Sequence, residues 1–248
     1  YSNSAYGYQS LYSNTSGSTN TALGSMALWS NTTASNNVAV GYGSLYSNTT
    51  ASNNTAVGTG AGYSNTTGAS ISVVGQNALY YNTTGTEHVA MGNSALFNNT
   101  TGSASTAIGN GALSSNTTGN SNTALGSSRG GYHGGSLQLN TTGSYNIGIG
   151  SGAGFGNNTG NNNVYIGFTA GYGSGSANPN NDNVGVGYQS LRQNTTGAYN
   201  VSIGSLSLYA NTTASNNTAV GYQAGYSNTT GTLNNYFGSG AGYSNTTG

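Results

Sequence analysis

Fourteen glycines recur along this chain, and eleven of the thirteen intervals between them are 17 residues long. The other two intervals are 24 and 20 residues, so the repeat carries insertions of 7 and 3 residues. A short fixed period over a whole chain is typical of a solenoid of stacked repeats and is not expected of a globular enzyme domain. The period glycines are Gly7, Gly24, Gly41, Gly58, Gly75, Gly92, Gly109, Gly126, Gly150, Gly167, Gly187, Gly204, Gly221 and Gly238.

Each repeat carries an alternating apolar pattern just before its glycine. Positions are counted from the period glycine, position 0, so that Val38, Ala39 and Val40 occupy −3, −2 and −1 of the repeat of Gly41. Position −1 is large and apolar in nearly every repeat, −3 is mostly Thr or Val, and −2 is mostly Ala. This alternation with β-branched residues predicts a strand that places −1 and −3 on one face and −2 on the other.

A second short strand is predicted at +3 to +5, where Ala or Ser, Leu and an aromatic residue follow one another, as in Ala27-Leu28-Trp29. We expect the aliphatic residues at −1 and +4 to line the interior and the aromatic residue at +5 to point to the opposite face. The alanine at −2 fits two interpretations: packing within a very flat coil, or close approach of two or three chains. The period glycine and the Asn-Thr-Thr segment supply two turns.

These features predict an all-β protein, a parallel β-solenoid (β-roll or β-helix) of about fourteen 17-residue coils with no globular domain. Residues 1–248 form a single repeat array, with insertions at 127–135 and 173–182. In-register stacking at about 4.8 Å would align Asn at −4, Thr in the second turn and the aromatic residue at +5 into ladders. Both ends of the sequence resemble interior repeats, so we expect a segment of a longer array or a subunit that stacks end to end.

Charged residues make up only 2% of the chain, and this excludes several classes of function. Without a cationic patch the chain is not expected to bind nucleic acid. No apolar stretch reaches the roughly 18 residues of a transmembrane helix. The low charge and the richness in Asn, Thr, Gly and Tyr favour an extracellular or cell-surface protein. The charged residues are Arg129, Arg192, Glu87 and Asp182.

The sequence contains no constellation that supports catalysis or metal binding. Acid–base chemistry needs positioned titratable groups, and this chain has two carboxylates, two histidines and no cysteine. Glu87 and His88 are neighbours, predicted to point to opposite faces of a strand. The glycine-rich run from Gly148 to Gly154 belongs to the repeat, with no helix predicted after it, so it is not a phosphate-binding loop. We therefore expect neither enzymatic activity nor a cofactor.

The segment from −4 to 0, as in Asn20-Thr21-Ala22-Leu23-Gly24 and Asn217-Thr218-Ala219-Val220-Gly221, resembles the head repeats of trimeric autotransporter adhesins and related bacterial and phage surface-fibre repeats. The resemblance covers all fourteen repeats but about five residues in each, and the period of 17 is longer than that of those head repeats. It implies a parallel β-roll, an extracellular setting, trimerisation and an adhesive role. It carries over no catalytic residue.

The Asn-Thr-Thr turn is the strongest candidate for chemistry, because Asn-X-Thr or Asn-X-Ser is the acceptor sequence for N-glycosylation. Asparagine also suits turns for structural reasons alone, and the threonine hydroxyls are equally good O-glycan acceptors, so the choice between Asn and Thr stays open. The asparagine candidates are Asn14, Asn31, Asn48, Asn65, Asn82, Asn99, Asn116, Asn140, Asn157, Asn194, Asn211, Asn228 and Asn245, and the threonine candidates include Thr33, Thr50, Thr67 and Thr84.

The two insertions offer candidate contact loops, although tolerated loop insertion explains them equally well. The sequence as a whole predicts a structural subunit of an extracellular filament or stalk, in contact with copies of itself head to tail and in lateral or trimeric arrangements. One alternative is an adhesin or phage tail-fibre shaft, in which the aromatic residues at +5 bind surface glycans. A third is an ice-binding solenoid with bare threonine ladders. The candidate loop residues are Arg129, Tyr132, His133, Pro179 and Asp182.

Overall fold

The structure, a computed structural model, describes residues 2–128, 134–173 and 179–248. It divides into two compact units, Tyr1–Asn120 and Ser121–Gly248. Each unit is a parallel β-solenoid in which every coil contributes one three-residue strand, and helix is absent from the described ranges. The predicted fold class is confirmed in both units.

The strands occupy positions −3 to −1 of successive coils and pair in register, so that Ala22 lies beside Ala39 and Val38 beside Thr55. In the first unit the strands are β1 (Ser4–Tyr6), β2 (Thr21–Leu23), β3 (Val38–Val40), β4 (Thr55–Val57), β5 (Ser72–Val74), β6 (Val89–Met91) and β7 (Thr106–Ile108). In the second unit they are β8 (Thr123–Leu125), β9 (Ile147–Ile149), β10 (Val164–Ile166), β11 (Val184–Val186), β12 (Val201–Ile203), β13 (Thr218–Val220) and β14 (Asn235–Phe237).

The period glycine is fixed by its backbone, as the sequence predicts. Its φ lies between 113° and 155° in all fourteen coils, a region that side chains rarely allow. A Cβ atom on Gly41 would also lie 2.7 Å from the carbonyl carbon of Gly58 in the next coil. The positive φ recurs in all fourteen coils, and the close backbone contact recurs at most period glycines but not at Gly238 in the last coil. The glycine period therefore equals the coil period.

The segment after the glycine consists of consecutive turns, so the prediction of a second strand at +3 to +5 is wrong. The amide of Ala27 donates to the Gly24 carbonyl at 3.3 Å, and alternate residues are left-handed, with φ of 58° at Met26 and 51° at Leu28. The amides at +2, +4 and +6 donate to neighbouring coils, as Leu28 does to Ser44 at 3.0 Å, whereas the amide at +5 donates within its own coil, as Tyr46 does to Gly43 at 3.3 Å. Left- and right-handed residues alternate with a period of two, which is why the apolar pattern of this segment resembled a strand.

The burial of position −1 is also the opposite of what the sequence predicts. Ala39 at −2 and Leu45 at +4 are fully buried, whereas Leu23 at −1 is 46% exposed and Phe237 at −1 is 67% exposed. The prediction for +4 is confirmed, and that for −1 is wrong. The two walls of the coil lie so close together that alanine fills the space opposite leucine. Packing within a flat coil therefore explains the alanine at −2.

The thin core compensates when leucine is missing at +4. Gly171 occupies +4 in one coil, and the ring of Tyr165 at −2 fills the space where its Cβ would lie. Tyr236 does the same at Gly225, where a Cβ would lie 2.6 Å from the tyrosine ring. Tyr165 is fully buried, so the large residue has moved from one wall of the coil to the other and the packed volume is kept.

Candidate functional site

The asparagine of the Asn-Thr-Thr turn, at +7, points into the coil. Asn31, Asn48 and Asn65 are fully buried. The Asn65 Nδ2 donates to the Gly68 carbonyl at 2.8 Å and to Asn48 Oδ1 at 3.2 Å, while Asn65 Oδ1 accepts from Asn82 Nδ2 at 2.7 Å. We call this stack of +7 asparagines the turn column. It joins consecutive coils through amide–amide hydrogen bonds, as in cross-β asparagine ladders.

A second stack of asparagines, at −4, forms the strand column. Asn37 Nδ2 donates to the Ala51 carbonyl of the next coil at 3.0 Å, and Asn37 Oδ1 accepts from the Asn54 amide at 2.9 Å. The asparagine ladder predicted at −4 is confirmed: the side chain of Asn37 bonds the coil that follows it, and in the second unit the side chain of Asn163 also donates to Asn146 Oδ1 in the coil before it at 3.1 Å. These bonds satisfy backbone groups that would otherwise be buried without partners.

The two threonines of the turn have different roles. At +8, Thr32 Oγ1 donates to the Thr49 carbonyl at 3.1 Å, so this hydroxyl also links coils. At +9 the threonine is exposed, and its side chain stands on the outer edge of the turn. We call the +9 residues the threonine row. In the described structure its exposed members include Thr33, Thr50, Thr67, Thr84, Thr101, Thr118, Thr142, Thr159, Thr196, Thr213 and Thr230.

This geometry separates the two kinds of glycan acceptor. Eleven of the thirteen candidate asparagines are buried, with 1% exposure or less, so the folded coil leaves no room for a sugar on their amide nitrogens. Asn14 and Asn245 are partly exposed. Thr33, Thr50, Thr67 and Thr84 are all exposed. The accessible acceptors of the folded turn are therefore hydroxyls, and the asparagines act as coil-to-coil bridges.

The aromatic residues at +5 form a stacked column on the outside of the coil. In the first unit the rings of Tyr46 and Tyr63 lie 4.8 Å apart with an interplanar angle of 2°, and Tyr63 and Tyr80 lie 5.0 Å apart. Each inner ring thus has both faces covered by its neighbours and exposes only its edge. The predicted aromatic ladder is confirmed. The column comprises Tyr12, Trp29, Tyr46, Tyr63, Tyr80 and Phe97 in this unit.

In the second unit an arginine takes one place in the aromatic column. Arg192 occupies +5, and its guanidinium carbon lies 5.6 Å from the ring centroid of Tyr172 and 5.8 Å from that of Tyr209. Its Nη1 also donates to the Tyr209 hydroxyl at 3.3 Å. The planar cation stacks between two rings, so the column continues through it. The aromatic members are Phe155, Tyr172, Tyr209, Tyr226 and Tyr243.

The sequence does not indicate the outward apolar surface formed by positions −1 and −3, which we call the outer strand face. Val74, Met91 and Ile108 are 39–43% exposed, and Ile147 at −3 is 36% exposed. Its strands are parallel and in register, so equivalent side chains line up along the face, as Val57, Val74 and Met91 do. The signal that could have revealed it was the alanine at −2, since a side chain that small marks the buried wall of a thin coil.

His88 replaces an asparagine of the strand column and is fully buried. Its Nε2 lies 2.7 Å from the Gly102 carbonyl, and its Nδ1 accepts from the Ser105 amide at 3.3 Å, which corresponds to a neutral ring protonated at Nε2. Burial lowers the pKa of His88 below its usual value. Glu87 is exposed with φ of 60° and precedes β6, so neither residue lies in a strand as predicted, although the two side chains do differ in burial.

The insertions bring together no site in the described residues. Arg129, Tyr132 and His133 lie outside the described residues. Pro179 is exposed, and Asp182 Oδ1 accepts from Asn162 Nδ2 at 3.1 Å in the neighbouring coil. In the described ranges no three His, Cys, Asp or Glu side chains approach closely enough to hold a metal ion, and no helix is long and apolar enough to span a membrane.

The fold and the 17-residue period define a β-solenoid repeat protein. No protein-family model matches the chain, and comparison with curated proteins and with solved structures likewise finds no match.

Proposed function

We propose that this chain is a structural subunit or segment of an extracellular filament or stalk in which copies stack end to end. The observation that carries the proposal is that coils are joined by one repeated set of intercoil bonds. Gly41 donates to Leu23 at 2.8 Å, and Gly58 donates to Val40 at 2.7 Å in the same way one coil further on. Surfaces that match within the chain would also match between copies.

The composition supports a mechanical role. The interior is held by neutral amide columns and a thin apolar core, and it contains few groups whose charge changes with pH. Arg129 and Arg192 are the only arginine or lysine residues in the chain, so trypsin has two sites to attack. The threonine row adds a line of exposed hydroxyls, and we include O-glycosylation of that row in the proposal. A sheath of sugar would supply the solubility that the scarce charges do not.

The experiment is cryo-electron microscopy of the native material, refined until single coils are resolved. We expect filaments in which 17-residue coils continue across subunit junctions, with additional density at the threonine row. Discrete short particles with distinct ends would overturn the filament proposal. Density on the asparagine side of the turn, with the coil intact, would overturn the assignment of the glycans to threonine.

A second candidate is an adhesin or phage tail-fibre shaft that binds surface glycans, as the resemblance to autotransporter head repeats suggests. The +5 rings are poor candidates for stacking against sugars because their faces are covered. The tyrosines at +1 are better candidates, since Tyr42 is 55% and Tyr222 is 54% exposed. Glycan binding that is lost in the Tyr42→Ser, Tyr222→Ser double variant and kept in Tyr46→Phe would favour this function. Ice binding has less support: the +8 hydroxyls already donate to carbonyl groups, as Thr32 does to Thr49, so the turn presents the +9 threonines alone as an exposed row.

A further inference from the structure

The aromatic column of the first unit contains an unbroken run of oxidisable rings, which the proposed function leaves unused. Trp29, Tyr46, Tyr63 and Tyr80 follow one another at +5 of consecutive coils. Their ring centroids lie 5.2, 4.8 and 5.0 Å apart, and the interplanar angles are 6°, 2° and 4°. Rings at this separation stack in offset contact, so their π-systems overlap from coil to coil. Such overlap allows an electron to pass from one side chain to the next.

The run of oxidisable rings leads to an exposed tyrosine. Tyr81 lies edge-on to Tyr80 with a centroid distance of 4.9 Å, and its side chain is 46% exposed. The next ring of the column itself is Phe97, which lies 5.6 Å from Tyr80. A phenyl ring loses an electron far less readily than a phenol, because it has no oxygen lone pair to stabilise the radical. A radical that reaches Tyr80 therefore passes to Tyr81 at the surface and not to Phe97.

We propose that this column carries oxidising equivalents from Trp29 to Tyr81, where a soluble reductant removes them. The oxidant that it accepts is a one-electron oxidant such as a peroxyl radical, and the reductant is a small phenol or thiol. Such an activity would protect a surface protein from oxidative damage. It goes beyond the filament proposal and does not depend on it, because one unit of one chain contains the whole path.

The chemistry of the two ring types sets the direction of transfer. Indole loses an electron without losing a proton at once, whereas a phenol must also release its hydroxyl proton, so the half-buried Trp29 is the entry point. After proton loss the tyrosyl radical is the more stable of the two at neutral pH. Transfer of an electron from Tyr46 to the indolyl radical is therefore downhill.

Each step moves one electron and exchanges protons with water. Trp29 gives an electron and its Nε1 proton, and the peroxyl radical becomes a hydroperoxide. Tyr46 then gives an electron to the indolyl radical, while its hydroxyl releases a proton to water and the indole nitrogen regains one. The same exchange moves the radical to Tyr63, Tyr80 and Tyr81 in turn, and each phenol reforms behind it. At Tyr81 the reductant supplies one electron and one proton and leaves as its own radical.

The second unit shows that stacking and electron transfer have different requirements. There the guanidinium carbon of Arg192 lies 5.6 Å from the ring centroid of Tyr172 and 5.8 Å from that of Tyr209. A guanidinium is always charged and is not oxidised, and its charge disfavours a radical cation on either neighbouring ring. That column is continuous for packing but interrupted for transfer. The first unit has an unbroken run of tryptophan and tyrosine, which packing alone does not require.

Laser flash photolysis of the full chain tests the path, because Trp29 is the only tryptophan. Light that tryptophan absorbs and tyrosine does not excites Trp29 alone, and a cobalt(III) ammine complex in solution accepts its electron irreversibly. We expect the indolyl radical band to decay as a tyrosyl radical band rises, at a rate independent of protein concentration. The variant Tyr12→Phe, Tyr46→Phe removes both phenols that stack on the indole and should abolish this exchange. The control Tyr42→Phe removes an unstacked phenol and should leave the rate unchanged.

A nitroso spin trap in the same reaction shows where the radical arrives. We expect peptide mass spectrometry to find the trap on Tyr81. Tyr63→Phe keeps a stacked ring but removes a phenol from the middle of the path, so labelling of Tyr81 should be lost while the indolyl radical still decays. Phe97 shows that the column accommodates phenylalanine, and circular dichroism checks that each variant is folded.

Three results would each overturn the proposal. The first is an indolyl radical whose decay rate increases with protein concentration, since that transfer is between molecules. The second is a Tyr12→Phe, Tyr46→Phe variant that exchanges as fast as the wild type. The third is equal labelling of Tyr81 in the wild type and in Tyr63→Phe. None of these results bears on end-to-end stacking, which the substitutions leave unchanged.

Discussion

Each unit has one complete and one interrupted asparagine column, and the complete column of the first unit is the interrupted column of the second. In the first unit the turn column is unbroken from Asn14 to Asn116, whereas the strand column changes to Ile71, His88 and Ser105 in its last three coils. In the second unit the strand column is unbroken from Asn122 to Asn234, whereas the turn column is interrupted by the insertion at 173–182.

This comparison separates the column that each unit keeps complete from the column in which it accepts other residues or an insertion. Each unit retains one continuous column of amides that bridges its coils, and substitutions are confined to the other column. A buried amide column is stable when every donor and acceptor has a partner, and a gap exposes the groups on either side of it. One complete column is therefore the minimum that each unit keeps.

Breaking the intact column of the first unit should have the largest effect. Asn65→Asp keeps the shape of the side chain but removes the two donors that bond Asn48 and Gly68, and it buries a carboxylate against their oxygens. We expect a loss of about 4 kcal/mol in the free energy of unfolding at pH 7, measured with urea. The control Thr67→Asp lies two residues away on the exposed edge and should change stability by less than about 0.5 kcal/mol. Equal losses in the two variants would show that the column is not required.

Interrupting the aromatic column of the first unit should cost less, because these rings lie outside the core. Tyr63→Leu removes stacking at 4.8 Å against Tyr46 and at 5.0 Å against Tyr80. We expect a loss of about 2 kcal/mol from the two ring pairs. Tyr42→Leu is the control, since this exposed ring at +1 has no stacked partner in the described structure. A loss in Tyr42→Leu as large as that in Tyr63→Leu would mean that stacking contributes nothing beyond apolar contact.

The imidazole in the interrupted strand column should make the first unit sensitive to acid. Burial lowers the pKa of folded His88, so the unfolded chain takes up a proton at a higher pH than the folded chain. Stability is complete above about pH 6.5, where the ring is neutral in both states, and falls by up to about 1.4 kcal/mol per pH unit below it. Urea unfolding of the wild type and of His88→Asn at pH 7.5 and 5.5 measures this difference. His133 is present in both chains, so an equal pH dependence in the two would contradict the role of His88.

The sequence predicted the elements that a period and a residue type determine together. The glycine needs a left-handed backbone, asparagines at −4 stack, and rings at +5 stack, so these features followed from repetition alone. The second strand and the interior position of −1 did not follow, because a period of two arises both from a strand and from alternating left- and right-handed residues. Which face is buried depends on the distance between the two walls of the coil. The large Leu45 and the small Ala39 indicate how short that distance is only when the two residues are considered together.

The smallest predicted effect concerns Arg192, where the aromatic column of the second unit departs from that of the first. The guanidinium stacks on Tyr172 and Tyr209 but leaves its Nε buried with no hydrogen-bond partner among the described residues. Arg192→Tyr would restore ring-on-ring stacking and remove that unsatisfied donor, so we expect a gain of about 0.5–1 kcal/mol in the free energy of unfolding. Arg192→Leu, which stacks on neither ring, should instead lose about 1 kcal/mol. Should Arg192→Tyr prove less stable than the wild type, the arginine would be the better partner for its two rings, and the two aromatic columns would be held by different interactions.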